Sequence, residues 1–236
     1  MKILNVLFFV LMVVMNYLAN ALPLGGKTTG ALSAQYPNLF VPAGITFSIW
    51  GVIYLMLGAF VILQFREQNK GLVEAIGWAF VISAALNALW IIAWHYEHLP
   101  LSLLVMLGLL VTLVYINLQL REVPVGLTKA VFGIYLGWIC IATIANVTAL
   151  LVNNGWGGWG LSDTVWAIAM IIAGLIITVA VLYRLNNPFV GLAVIWAFTG
   201  IVIRHSGGDH QLIATTALIS AAVMAIATVY TFLKTG

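Results

Sequence analysis

Apolar positions run along this chain in long unbroken blocks, without the alternation that marks a half-buried strand. The stretch LSLLVMLGLLVTLVYINL, residues 101–118, is typical. A membrane-spanning helix needs about 20 mostly apolar residues, and eight segments approach or meet that length. They are 3–21, 42–64, 72–94, 99–119, 128–152, 163–183, 188–203 and 211–232. The seventh is the shortest, flanked by Pro188 and the pair Arg204 and His205. Outer-membrane barrels need short alternating segments, which these are not. The pattern therefore predicts an all-α integral membrane protein, a helical bundle of about eight transmembrane helices.

Composition agrees. Only 6% of the residues are charged and 64% are hydrophobic, against about 25% charged in a soluble domain. The net charge of +3 comes from nine Lys and Arg scattered near helix ends. That is an orientation signal, not a nucleic-acid patch, so no nucleic-acid partner is expected. With the N-terminus inside, Lys2, Arg66, Lys70, Arg121, Lys129, Arg184 and Lys234 fall on the inner side, and Lys27 and Arg204 outside. Both termini are thus expected in the cytoplasm, and the protein in the cytoplasmic (inner) membrane. Segment 3–21 follows Lys2 and ends near Ala19-Asn20-Ala21, a form shared with signal-peptide cleavage sites. Its length favours retention as the first helix.

The longest connection, 22–41, falls outside and carries Pro23, Gly25, Gly26, Gly30 and Pro37, which break regular structure. Loops of this length often cover binding sites. Beneath it, polar and aromatic residues recur at helical spacing. Phe47, Trp50 and Tyr54 share one stripe; Asn87, Trp90 and Trp94 share another; Tyr135, Trp138, Ala142 and Asn146 share a third. At about 1.5 Å per residue, Trp50 lies roughly 12 Å below the outer start of its helix, Asn87 about 10 Å in and Asn146 roughly 9 Å in. Convergence of these faces would give an aromatic-walled pocket for a hydrophobic small molecule. Interhelical packing is the other reading, since intramembrane Asn commonly bonds across helices.

These residues resemble the signatures of the TspO/MBR family (translocator protein, tryptophan-rich sensory protein). Pro42, Trp50 and Tyr54 match the motif entering the second helix. Leu86, Asn87 and Trp90 match Leu-Asn-x-x-Trp on the third. Tyr135, Trp138, Ala142 and Asn146 match the fifth. The sequence departs from the family pattern at Thr46, Ser83, Ile134 and Ala145. The matched motifs cover residues 1–152 as a TspO-like five-helix bundle, leaving 153–236 as three additional transmembrane helices. The resemblance implies an outward pocket for a tetrapyrrole such as a porphyrin, and in some members a sterol. Trp50, Trp90 and Trp138 would be its stacking walls, Asn87 and Asn146 its hydrogen-bond donors, and Tyr54, Tyr135 and Ala142 would complete it. A sensor or receptor that binds such a ligand is the leading expectation. A permease for a small apolar compound and an enzyme promoting porphyrin breakdown are the alternatives, and binding is favoured over catalysis. No cofactor is obligatory; a tetrapyrrole would be the ligand.

Other chemistry finds little footing. No Lys lies mid-helix for a retinal Schiff base. No P-loop, HExxH or Gly-x-Ser-x-Gly occurs. No charged residue lies near a helix midpoint, where ion-coupled transporters usually keep one. His95, His98, His205 and His210 fall in two outer loops with Glu97 and Asp209. They offer metal-ligand and pH-sensing chemistry, but two solvated loops are the simpler reading, and no metal is expected. Cys140 reads as a packed apolar residue, Trp156 and Trp159 as an interfacial belt, and Trp196 as packing. The last three helices would cover the lipid-facing side of the bundle, supply a homodimer surface or form a second site.

Overall fold

The structure is a computed structural model that describes residues 1–22 and 24–235; Pro23 lies outside the described residues. It is all-helical, with no strand among those residues. The helices are α1 (Lys2–Ala21), α2 (Thr29–Ala34), α3 (Ile49–Leu63), α4 (Lys70–Ile76), α5 (Ala79–His95), α6 (Leu99–Gln119), α7 (Leu127–Asn153), α8 (Asp163–Leu185), α9 (Phe189–His205) and α10 (Gln211–Thr235). Six stretches are long and apolar enough to cross a membrane. A seventh forms if the pair on either side of Gly77 counts as one, and α9, with 17 residues, is a shorter apolar helix. This is an integral membrane bundle.

The third predicted span is corrected in detail. Residues 72–94 do not form one helix, because the pair Glu67–Ile76 and Ala79–His95 bends by 62°. The cause is Gly77, at φ +55° and ψ −134°, in backbone space that L side chains rarely adopt. Hydropathy runs unbroken through the turn, so the pattern could not report it. Phe47 is likewise displaced from its expected helix. It sits in a 3-10 turn, Gly44–Ser48, that leads into α3.

Because these helices are apolar on all sides, polar ties and close backbone approach set their order more than amphipathicity does. At the end of the bundle that holds the α6–α7 turn, the Asn187 amide donates to Asn117 Oδ1 at 2.7 Å and to the Lys129 carbonyl at 2.9 Å. Asn117 donates in turn to the Phe132 carbonyl at 3.0 Å. This knot joins α6, α7 and the turn before α9. The Lys129 ammonium is buried, but it donates to the Arg121 and Val123 carbonyls at 2.9 and 2.8 Å. Asn5 donates to Gln64 at 2.8 Å and ties α1 to the end of α3.

The segment from α2 to α3 roofs the opposite end of the bundle and is fastened on two sides. On the α5 side, Glu97 accepts from Lys27 at 3.4 Å and from the Tyr36 hydroxyl at 3.2 Å. Tyr36 has its phenol pushed up from its ordinary value by burial first and by the Glu97 charge second. On the other side, α9 holds the strand of chain entering α3. Arg204 donates to the Val41 carbonyl at 3.0 Å, and the Trp196 indole to the Thr46 carbonyl at 2.8 Å. His205 Nε2 meets the Leu39 carbonyl at 2.9 Å, and the Ala43 amide donates to the Gly200 carbonyl at 3.0 Å. Trp196, expected as plain packing, thus also carries a hydrogen bond to this segment.

Candidate functional site

Three helices deliver the expected aromatic faces to one place. Trp50 of α3 stacks on Trp90 of α5 with ring centroids 5.9 Å apart, and meets Trp138 of α7 edge-on at 6.2 Å. Trp90 stacks on Trp94 at 6.2 Å, and Phe47 meets Trp138 edge-on at 6.1 Å. Offset-stacked and edge-to-face pairs at such distances are attractive, by about 0.5–1.5 kcal/mol each beyond area burial. Between these rings and the roof lies a cavity of about 60 Å³. Trp50, Trp90, Trp94, Trp138, Ala142 and Asn146 contribute to its wall, with Phe40, Val41 and Pro42 from the roof.

Five of the eight residues singled out from the sequence, Trp50, Trp90, Trp138, Ala142 and Asn146, therefore line one hollow. Tyr54, Asn87 and Tyr135 do not line it and lie among the rings beneath. Tyr54 stacks under Trp50 at 5.6 Å, and Tyr135 meets Trp50 edge-on at 6.1 Å. The Asn87 amide is fully engaged in the helix interface: its nitrogen donates to the Tyr135 hydroxyl at 2.8 Å, and its oxygen accepts from Asn16 of α1 at 2.7 Å. This chain of three polar groups joins α1, α5 and α7 at 0% exposure of Asn87. Asn87→Leu would strand the Tyr135 hydroxyl in an apolar interior, at a cost of about 1–3 kcal/mol, and would leave the Asn16 amide only the Met12 carbonyl of its own helix. The expected result is a melting temperature in detergent lowered by several degrees, about 4–8 °C per kcal/mol for a small domain and less for a larger one. An unchanged melting temperature would show that the network contributes nothing.

Trp94 was missing from the residues picked by motif, although its spacing four residues past Trp90 places it on the same face. Asn16 could have been found by the criterion that drew attention to Asn87, a side-chain amide inside an apolar helix. Ser102 of α6 had no such signal; it pairs with Asn146 at 3.2 Å and fixes that amide at the wall. Ser83 turns away and donates to the Phe80 carbonyl of its own helix at 2.8 Å.

The hydrogen-bond balance of the hollow is uneven. The indole N–H groups of Trp90, Trp94 and Trp138 are buried and find no partner among the described residues. Three unused donors in the walls of one cavity are unusual, since the great majority of buried polar atoms are paired. An occupant bearing hydrogen-bond acceptors would relieve them. The histidines do not converge on this place. His95 bonds the Ile91 carbonyl of its own helix at 2.8 Å, and His205 lies against His210 at the end of α9, their ring centroids 5.6 Å apart. Trp156 and Trp159 gather instead with Trp166 at the start of α8, at centroid distances of 4.7 to 5.7 Å.

Comparison with known proteins bears on the whole chain. A family model described as TSPO-like protein matches residues 2–230. The match extends past residue 152 through most of α10. Neither the curated proteins nor the solved structures contain a match.

Proposed function

The chain belongs to the TSPO-like protein family, and from that premise we propose that it binds a flat hydrophobic aromatic ligand of the tetrapyrrole type. The site is the hollow beneath the roof, and the role is that of a membrane receptor or sensor. The carrying observation is the meeting of four tryptophans from three helices around one cavity, three of them with unpaired N–H groups. Aromatic rings suit a planar π-system, and free donors suit acceptor atoms at its edge.

The present volume of about 60 Å³ is far below the roughly 300 Å³ or more of small-molecule pockets. Binding a macrocycle therefore requires the rings to part. The exchange costs little in stacking, because Trp50, now seated against Trp90 and Tyr54, would give up ring–ring contacts for ring–ligand contacts. Trp50, Trp90, Trp94 and Trp138 are the stacking walls in this proposal. Ala142 leaves room, Asn146 offers an amide, and Tyr54, Asn87 and Tyr135 hold the floor. With the N-terminus inside, seven of the nine Lys and Arg fall on the inner side, which by the positive-inside rule supports a location in the cytoplasmic membrane with both termini in the cytoplasm. The hollow then faces outward.

Titration of the purified protein with protoporphyrin, read by tryptophan fluorescence, tests this. Saturable quenching is expected. The double substitution Trp50→Phe with Trp138→Phe should weaken it roughly tenfold, from two aromatic contacts of about 0.5–1.5 kcal/mol each. Linear, non-saturating quenching in the unsubstituted protein would overturn the proposal.

A further inference from the structure

A second and larger hollow adjoins the first. It is a crevice of about 580 Å³ between α1 and α3, lined among others by Val13, Tyr17 and Asn20 of α1, and Gly30 of α2. The crevice and the cavity share three residues, Thr29, Phe47 and Trp50, so these form their common wall. Its mouth is on the lipid-facing side. Val10, Val14 and Tyr17 of α1 are exposed at 49%, 44% and 67%, as are Val52 and Leu55 of α3. At about 1.5 Å per residue, Val13 lies roughly 12 Å inward of the end of α1, so the crevice reaches from the headgroup level into the outer leaflet.

Two observations separate this crevice from an ordinary gap between helices. Polar groups at its edge are unused: the Thr29 and Tyr54 hydroxyls are buried and find no partner among the described residues. Its common wall is also the least confined part of the aromatic cluster. Trp50 is only partly buried, whereas Trp90, Trp94 and Trp138 are buried. The roof, by contrast, is fastened at Glu97 and along α9 by Lys27, Tyr36, Arg204, His205 and Trp196. Opening the roof breaks several hydrogen bonds together; turning the Trp50 ring toward the crevice breaks stacking contacts and no hydrogen bond.

We infer that the crevice between α1 and α3 is the membrane-side entrance of the site, admitting a planar apolar ligand dissolved in the outer leaflet, with the Trp50 ring as the door. With that ring displaced, the crevice and the cavity become one space of a size that holds a drug-sized molecule or larger. The unpaired Thr29 and Tyr54 hydroxyls would meet polar edges of the ligand in passage. This inference rests on the binding site proposed above and adds the route to it.

The test is stopped-flow quenching of tryptophan fluorescence after mixing protein in phosphatidylcholine vesicles with vesicles preloaded with protoporphyrin. Two variants obstruct the crevice from opposite sides without touching the cavity, Val13→Phe on α1 and Gly30→Leu on α2. A Cβ at Gly30 meets nothing within 4 Å, so the second variant is expected to fold even if the first does not. Each should slow association and dissociation together by about tenfold while leaving Kd unchanged, as an obstructed path raises the barrier in both directions. Arg204→Ala, which loosens the roof, should leave both rates as they are. Unchanged rates in both crevice variants, or faster association in Arg204→Ala, would overturn the lateral route and leave the site standing. Unchanged association with faster dissociation in the crevice variants would also overturn it, by showing the crevice to be occupied by the bound ligand. No saturable quenching in the unsubstituted protein would overturn the site, and the route with it.

Discussion

Ala142→Phe is expected to abolish ligand binding while leaving the protein folded. Ala142 stands one turn beyond Trp138 on α7 and lines a hollow of only about 60 Å³. A phenyl ring there takes the space that the ligand itself would occupy between the Trp50 and Trp138 rings. The loss should be about a hundredfold or more in Kd, some 2.7 kcal/mol, and visible as the disappearance of saturable protoporphyrin quenching. The hollow gives the new ring somewhere to sit, so the stability cost should stay at or below the about 1–3 kcal/mol typical of overpacking. Unimpaired binding in this variant would place the ligand elsewhere.

The second large effect concerns the packing of α9 on α7. A Cβ at Gly137 would run into the backbone carbonyl of Val190 and crowd the Ala193 side chain. The obstacle is backbone, so no rotamer change can relieve it. Gly137→Leu is expected to cost more than about 3 kcal/mol and to give a protein that fails to accumulate or that melts well below the parent in detergent. Gly51→Leu is the matched control, since a Cβ on that α3 glycine meets nothing within 4 Å. It should be close to neutral. Equal stability of the two variants would contradict the intimate contact between α7 and α9.

That contact also shows which features the sequence could and could not carry. The spans were legible because each is a continuous apolar block, and the three aromatic stripes because helical spacing alone sets which residues share a face. The break at Gly77 was not legible: Trp78 and Ala79 continue the apolar run, and only the backbone angle at one glycine makes the turn. The contribution of α9 to the roof was equally hidden. Arg204 bonds Val41 and Trp196 bonds Thr46 across 163 and 150 residues, and no local pattern encodes a partner at that distance. The motif residues likewise divide in a way that spacing cannot show. Trp90 and Asn87 lie three apart on α5, yet Trp90 borders the hollow while Asn87 is consumed by Asn16 and Tyr135. The deciding neighbour, α1, carries no motif.

The last three helices acquire a mechanical role from the same facts. α8 and α9 pack on α7, α10 packs on α8 and α9, and α9 fastens the chain that leads into α3, so the roof over the aromatic hollow depends on both halves of the sequence. A family match reaching residue 230 accords with that dependence. The groove between α7 and α8, about 450 Å³ and lined among others by Trp156 and Trp166, is a competing place for an apolar molecule.

An experimental structure of the protein with protoporphyrin tests the central claim most directly. Density for the macrocycle should lie beneath the roof against the Trp50 and Trp138 rings, with acceptor atoms within hydrogen-bond distance of the indole nitrogens of Trp90, Trp94 or Trp138. Density in the groove between α7 and α8, with the four tryptophans still packed on one another as they are now, would contradict it.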